Sequence, residues 1–209
     1  MKLFRQIRSN LFIFGLPLLL AVFSCNNDDS SVADQENTNL TNDDNAALLF
    51  MLEEEKLARD TYTYLGDLWN INQFSNIKKS EQSHMNAIIV LLDQYDISYS
   101  LLAYGEFNNP DIQKLYDQFI EYGSENKAKA LEVGANIEDL DIVDLAKFID
   151  ATTNSAMIQV FESLQCGSRN HLRSFVNAIE LSGNTYEPQY LTQEDYTLII
   201  NDSQEQCGP

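Results

Sequence analysis

The stretch FSNIKKSEQSHMNAIIVLLDQY, residues 74–95, predicts one helix of a helical bundle. The positions on one side of this helix recur in steps of three and four residues, which is the spacing of residues that face the core of a bundle. These positions are Phe74, Ile77, Glu81, His84, Ile88, Leu91 and Tyr95. Glu81 and His84 therefore lie one turn apart on the face that points into the core, where leucine is the ordinary residue.

Three other stretches have the same helical spacing, and each carries a polar residue among apolar ones. The first begins after the cap-like TNDD at Thr41, and the second after Ser124, which we expect to be an N-cap. The inward positions are Leu48, Met51, Leu52, Glu55, Ala58, Tyr62 and Leu65; then Ala128, Leu131, Ala135, Glu138, Ile142, Leu145 and Ile149; and then Met157, Phe161, Leu164, Ser168, His171, Phe175 and Ala178. Together with residues 74–95, these stretches predict an all-α four-helix bundle.

The connection between the second and third bundle helices is long, because the helical pattern loosens between Asp96 and Gly123. Two antiparallel neighbours need far fewer residues, so this segment predicts a crossover that carries its own short helix. The apolar positions of that helix are Ile112, Leu115, Tyr116, Phe119 and Ile120. After the bundle, Thr192 predicts the cap of a short closing helix.

Residues 1–24 have the layout of an export signal, with three basic residues before an apolar run at 11–23. The run ends LAVFSC, which resembles the lipobox of bacterial lipoproteins and implies that Cys25 is the lipidated mature N-terminus. That resemblance also implies a Gram-negative envelope, and Asp28 and Asp29 suit export to the outer membrane. The alternatives are a plain signal peptide or a membrane anchor, for which the run is short compared with the roughly 20 residues that span a bilayer.

Residues 25–44 are rich in Asn, Asp, Ser and Thr and predict a disordered tether. We expect the folded domain at 45–203 and a tail at 204–209. Removal of residues 1–24 takes away three basic residues and no acidic one, which leaves 10 Lys and Arg against 32 Asp and Glu, a formal charge of −22. Such a surface repels nucleic acid and anionic lipid and attracts metal cations, although acidity also simply keeps an envelope protein soluble.

Two cysteines remain after Cys25, namely Cys166 and Cys207. In an oxidising envelope we expect them to form a disulfide that holds the C-terminal tail to a helix. Two free thiols are the alternative, because the separation of the two residues cannot be read from the sequence.

Three glutamates and both histidines of the chain lie on the inward faces of the four helices. These residues are Glu55, Glu81, His84, Glu138 and His171, and Asp141 lies on the flank of the same face as Glu138. Buried carboxylates without compensation destabilise a protein by several kcal/mol each. A pair of divalent cations would compensate them, and imidazole together with carboxylate suits iron, manganese or zinc.

Other polar residues of the first helix have simpler interpretations. Glu53 and Glu54 lie off its inward face, so we expect both to be solvated. Tyr62 is either a core residue or a hydrogen-bond partner of a metal ligand. Arg59 either pairs with an inward carboxylate or makes a surface salt bridge.

Four segments, EEEKLARDTY, FSNIKKSEQSHM, LEVGANIEDLDIVDL and CGSRNHLRSF, resemble a ferritin-like family catalogued as domain of unknown function 2202. The resemblance spans roughly residues 45–200, and EKLARDTY is more distantly similar to the first ligand helix of rubrerythrin-type proteins. It implies that Glu55 is a terminal carboxylate ligand, Glu81 a bridging one and His84 the imidazole. Glu138 would be the third-helix glutamate, with Asp141 one turn beyond it.

The chain departs from the ferritin-like pattern at Ser168, where a second bridging glutamate is expected. Two metals with Asp141 in place of that glutamate, or only one metal, therefore both stay open. Three functions therefore stay open: a di-iron enzyme that oxidises ferrous iron or reduces peroxide or dioxygen, a module that binds iron, manganese or zinc without turnover, and a metal-free structural lipoprotein. An enzyme would need an external electron donor, because the chain has no CxxC cluster for a rubredoxin-like centre. Whether two bundles pair into a homodimer also stays open.

Overall fold

The computed structural model describes residues 40–208, which form six helices and no strand. The predicted export signal, Cys25 as the predicted site of lipidation, and most of the predicted tether lie outside these residues. The helices are α1 (Asn42–Trp69), α2 (Asn72–Gln94), α3 (Pro110–Gly123), α4 (Lys127–Ala151), α5 (Ser155–Leu181) and α6 (Gln193–Asn201). Within residues 40–208 no helix combines the length and the apolar character that crossing a bilayer requires.

Four of these helices form a closed bundle, which confirms the predicted all-α class. The helix pairs α1–α2 and α4–α5 have the most extensive contacts, and α1–α4 and α2–α5 contacts close the ring. Each pair is joined by a short loop of two or three residues, as expected of antiparallel neighbours. Helix α3 lies in the long crossover and packs against α1 and α4, while α6 packs against α5.

Side chains at the helix ends explain where the helices begin. Thr41 and Asp44 form a reciprocal capping box, so α1 begins at Asn42 and the last part of the predicted tether is helical. Ser124 is not the N-cap of α4, because its hydroxyl donates to the carbonyl of Ile120 at the end of α3. Asn126 caps α4 instead, and Thr192 caps α6 as predicted.

The apolar core is divided into two clusters along the bundle. One contains Tyr62, Phe74 and Phe175, whose ring centroids lie 5.3–5.5 Å apart. The other contains Met51, Met85, Phe161 and further aliphatic residues. On every bundle helix the change from one cluster to the other falls near the level of the inward polar residues. The bundle therefore has a polar layer between two apolar ones.

Buried charges of α1 hold the crossover in place. The Lys56 ammonium group lies 2.7 Å from Asp60 Oδ2 and donates to the carbonyls of Ala103 and Glu106. Arg59 also pairs with Asp60, at 2.7 Å, and not with a carboxylate of the polar layer. The Lys56–Asp60 pair is thus fully hydrogen-bonded, which offsets the cost of burying its charges.

The prediction that Glu53 is solvated is wrong. Its carboxylate is buried and accepts hydrogen bonds from the backbone N–H groups of Asn108 and Asn109, both at 2.7 Å. These residues immediately precede α3, whose N-terminus favours a nearby negative charge. Glu53 therefore fixes the start of α3 against α1.

The C-terminal tail is held to α5. Cys166 and Cys207 form a disulfide, with their Cα atoms 5.5 Å apart. Glu205 forms ion pairs with Arg169, at 2.5 Å, and with Arg173, at 2.9 Å. The tail therefore lies along the outer side of the helix that carries His171.

Candidate metal centre

The four bundle helices bring the predicted ligands together in the polar layer between the two apolar clusters. Each carboxylate of this layer is almost fully buried, and each histidine side chain is 12% exposed. Helix α1 contributes one of these residues, α2 two, α4 two and α5 one: Glu55, Glu81, His84, Glu138, Asp141 and His171.

Glu81 lies at the centre of this layer, with one carboxylate oxygen for each histidine. Its Oε2 is 3.0 Å from Nδ1 of His84, and its Oε1 is 3.0 Å from Nδ1 of His171. Glu55 Oε2 lies 3.2 Å from the same atom of His84, and Glu138 Oε2 lies 3.3 Å from that of His171. The result is two compact sets of one imidazole and two carboxylates, which share Glu81.

Several candidate ligand atoms of this layer have no hydrogen-bond partner among the described residues. Glu55 Oε1, Glu81 Oε1 and His171 Nδ1 are all in this position, although the last two lie only 3.0 Å apart. These two atoms form an ion pair when His171 is protonated. Carboxylate oxygens only accept, so neighbouring glutamates cannot satisfy one another while they are ionised. A cation between these atoms would satisfy them, and the nitrogen and oxygen donors fit iron, manganese or zinc.

The pKa values of the side chains in this layer indicate which of them carry a proton in the metal-free protein. Burial raises the pKa of Glu55 to about 8, although His84 opposes the rise. Burial lowers the pKa of His171, but Glu81 and Glu138 outweigh it and raise the pKa to about 10. Burial would likewise raise the pKa of Glu81, yet His171 and His84 hold it well below its usual range. At neutral pH a cation must therefore displace protons from this layer.

Asp141 lies beside the two compact sets and belongs to neither. Its Oδ2 accepts a short hydrogen bond from the hydroxyl of Ser168, while its Oδ1 has no partner among the described residues. Burial raises the pKa of Asp141 well above the ordinary value, and Glu55 raises it further. Ser168 thus takes the place of a carboxylate on α5 and holds Asp141 on α4 towards the layer.

Tyr62 combines both roles that its position in the sequence left open. Its ring lies in the aromatic cluster with Phe74 and Phe175, and its hydroxyl donates to Glu138 Oε1 at 2.5 Å. Burial, and then the negative charge of Glu138, raise the phenol pKa well above its ordinary value, so it stays a proton donor. This bond leaves Glu138 Oε2 directed at His171.

Gly167 is a site residue that the sequence reasoning missed. A Cβ atom at this position would lie 2.8 Å from Nε2 of His84, closer than real Cβ contacts. The glycine therefore lets α5 approach α2 closely enough for the two imidazole rings, whose centroids are 5.7 Å apart. A glycine inside a helix, next to Ser168, was the signal in the sequence.

Glu54 is the second residue whose predicted exposure is wrong. It is 1% exposed, and neither carboxylate oxygen has a hydrogen-bond partner among the described residues. Its neighbours on both sides are also buried, so α1 is enclosed on more than the single face that periodicity indicates.

Comparison with known proteins gives one family and one relative of known structure. Residues 44–203 match the family described as uncharacterized protein domain DUF2202. The chain is 44% identical to the uncharacterized protein MJ0754 of Methanocaldococcus jannaschii over 168 residues, which are 79% of this chain and 91% of the relative. The crystal structure of that hypothetical protein matches with a TM-score of 0.79 and 43% identity, and covers 80% of this chain and 97% of the other. The family match and the relative together show that this protein belongs to the DUF2202 family.

Proposed function

We propose that this all-α bundle is a ferritin-like protein that binds a pair of divalent cations, with iron as the first choice. It would use them to oxidise ferrous iron or to reduce peroxide or dioxygen. The observation that carries the proposal is the position of Glu81, whose two oxygens each face a different imidazole nitrogen. The alternative of a metal-free structural core would leave Glu55 Oε1 and Asp141 Oδ1 buried without a hydrogen-bond partner among residues 40–208.

The arrangement of the donors supports two cations. Glu55 and His84 would hold one, Glu138 and His171 the other, and Glu81 would bridge them. With Asp141, four carboxylates carry the negative charge that balances two divalent cations when both imidazoles are neutral. A balanced buried cluster avoids the desolvation penalty of isolated charges.

Reduction of peroxide needs a source of electrons in addition to bound metal. A pair of ferrous ions held by these residues would supply two electrons, which together with two protons would reduce one hydrogen peroxide molecule to two water molecules. Tyr62 holds Glu138, and Ser168 holds Asp141, so that both carboxylates keep their orientation. The two apolar clusters lie on either side of the layer, and of its six side chains the two imidazoles are the most exposed, at 12%. Repeated turnover requires an external electron donor.

The test is anaerobic loading of the purified protein with ferrous iron, a count of metal per chain, and then addition of air or peroxide. We expect about two irons per chain and a near-ultraviolet absorbance of ferric iron after oxidation. The double variant Glu81→Ala/His84→Ala should lose both, whereas Glu162→Gln, an exposed glutamate of α5, should keep them. A wild-type protein that takes up no metal would contradict the proposal.

A second candidate is a module that binds metal without turnover. Ser168 favours it, because a hydroxyl replaces the second bridging carboxylate and its hydrogen bond occupies one oxygen of Asp141. This candidate predicts reversible uptake of iron, manganese or zinc with no oxidation after air or peroxide is added. The loading experiment thus separates the two functions.

We also propose that the domain is displayed in a bacterial envelope, anchored to the outer membrane through lipid on Cys25. The disulfide between Cys166 and Cys207 supports export, because disulfides persist in oxidising compartments. Incorporation of labelled palmitate in cells, lost in a Cys25→Ala variant, would support the anchor. Cytosolic protein without label would contradict it.

A further inference from the structure

More than half of the large apolar side chains that are exposed within residues 40–208 lie on one outer surface of the bundle. This surface follows the outer side of α1 and the part of the crossover that lies against it. Single exposed apolar residues are ordinary, but a contiguous set of them indicates an interaction surface. Six side chains, each 36–52% exposed, form this set, which we call the apolar strip: Tyr64 and Leu68 on α1, and Tyr99, Leu101, Leu102 and Tyr104 in the crossover.

The strip has a hollow with mostly apolar walls at each end. One is a notch of about 550 Å³ between Tyr104 and the second half of α1. The other is a cleft of about 1060 Å³, which Tyr99 lines together with Phe50. Leu101 and Leu102 come between these two tyrosines in the chain. The surface therefore combines exposed leucines with hollows that apolar side chains can fill.

Buried hydrogen bonds hold the crossover part of the strip against α1. The ammonium group of Lys56 donates to the carbonyl of Ala103 at 2.9 Å. The backbone N–H of Gly105 donates to Asp60 Oδ2, and the hydroxyl of Tyr104 donates to the carbonyl of Asp60, both at 3.0 Å. The surface is thus ordered before any partner arrives, and a preordered surface loses little conformational entropy on binding.

The strip is almost uncharged, although the chain is strongly acidic. The full chain has a formal charge of −19, yet no Asp, Glu, Lys, Arg or His lies between Asp96 and Glu106. In the notch, Asp67 is the only charged residue. Two copies of such an acidic chain repel each other over most of their surface. They approach at the lowest electrostatic cost where the strip of one copy meets the strip of the other.

The exposed area of the strip also fits a dimer. Side chains of this size have roughly 150–250 Å² of surface each, so the exposed fractions of the six correspond to about 400–600 Å². A standard interface buries about 800 Å² on each partner and has an apolar core with a polar rim. The strip has the area of such a core, and Thr63 and Asp67 beside it have the character of a rim.

We propose that the apolar strip is the interface of a homodimer, in which the strips of two copies cover each other about a twofold axis. Such an interface uses the same patch on both copies, so the patch has to be complementary to itself. Exposed leucines beside apolar hollows meet this requirement. A bilayer is a poorer occupant, because the acidic chain repels anionic lipid and a flat surface leaves the hollows unfilled.

The test is sedimentation equilibrium of the purified Cys25→Ala protein, so that lipid on Cys25 plays no part. We expect a dimer with a Kd of about 10 μM or tighter. Leu101→Asp/Leu102→Asp and, separately, Leu68→Glu should weaken the dimer about a hundredfold, because each variant places charge in an apolar interface. Leu181→Glu is the matched control, since Leu181 is 81% exposed on α5, the bundle helix diagonal to α1, and this variant should dimerise unchanged.

Three results would overturn the proposal: a protein that is still monomeric at about 100 μM, a dimer that keeps its affinity in both strip variants, or a monomer that binds phosphatidylcholine vesicles through the strip. The two strip variants change different elements, the crossover and α1, and circular dichroism checks that each is folded. If one fails to fold, the other still decides the question. The strip contains none of the candidate metal ligands, so the metal-free protein gives the answer whether or not the proposed function holds.

Discussion

The hydroxyl of Tyr62 allows the polar layer to be perturbed without disturbing the core around it. Tyr62→Phe removes one oxygen, which donates to Glu138 Oε1 at 2.5 Å and lies 3.3 Å from the carbonyl of Gly134. The ring itself contacts Phe74 and Phe175, with centroids 5.5 and 5.4 Å away. Phenylalanine keeps those contacts, so the effect of the substitution reports on the hydrogen bond.

The expected magnitude follows from burial. A hydrogen bond to a charged group stabilises a protein by about 1.5–3 kcal/mol, and a buried acceptor left alone adds its desolvation cost. Burial raises the pKa of Glu138, so part of the loss is relieved by protonation of its carboxyl group. We therefore expect the metal-free variant to be less stable by about 2 kcal/mol, which is roughly a thirtyfold change in the ratio of folded to unfolded protein. The cation held by Glu138 and His171 should bind about tenfold more weakly, because its carboxylate loses its orientation.

Two measurements check this prediction: urea unfolding of the metal-free protein, and calorimetric titration with manganese(II). Tyr64→Phe is the matched control, since Tyr64 lies on the same helix with its side chain exposed, and its stability should change by less than about 0.5 kcal/mol. If Tyr62→Phe unfolds like the wild type and binds both cations unchanged, then the hydroxyl neither stabilises the layer nor orients Glu138, and the reasoning is refuted.

Three further predictions concern other parts of the site. Gly167→Ala should displace the ring of His84, because the new methyl group would lie 2.8 Å from Nε2, and should therefore weaken cation binding and lower the free energy of unfolding by about 1–3 kcal/mol. Urea unfolding and cation titration that match the wild type would contradict this prediction. Cation affinity should fall as the pH falls below 10, by about tenfold per pH unit for each proton displaced, because the pKa of His171 is raised to about 10 in the metal-free protein. An affinity that does not change between pH 6 and pH 9 would contradict this prediction. Reduction of the disulfide between Cys166 and Cys207, 41 residues apart, should lower the free energy of unfolding by about 2–4 kcal/mol, whereas the stability of a Cys166→Ala/Cys207→Ala variant should not respond to reductant. Equal stability of the wild type with and without reductant would disprove the prediction.

Much of the bundle and the composition of its polar layer could be predicted from the sequence. Glu81 and His84 were placed on the inward face of α2 by spacing alone, and the structure brings them together with His171 and Glu138. This works because the direction of a side chain on a helix follows from backbone geometry, which is local. That these residues hold metal stays a prediction.

Contacts between distant segments could not be predicted in this way. Glu53 and Glu54 lie off the inward stripe of α1, yet both are buried, because α1 contacts α2, α3 and α4. Periodicity measures the apolar stripe of one helix and contains no information on which other helices cover its remaining faces. The prediction that Ser124 is the N-cap of α4 failed for a related reason, since α3 ends at Gly123 and α4 begins only four residues later, at Lys127.

The sequence by itself therefore determined the helical class, the inward faces and the kinds of donor in the polar layer, because each depends on residues within a few turns of one another. Only the tertiary structure decided which oxygen faces which imidazole, that Tyr62 binds Glu138, that Gly167 must be small, and that Glu54 has no hydrogen-bond partner among residues 40–208. These features arise where side chains from different helices meet, at distances set by the packing of the whole bundle.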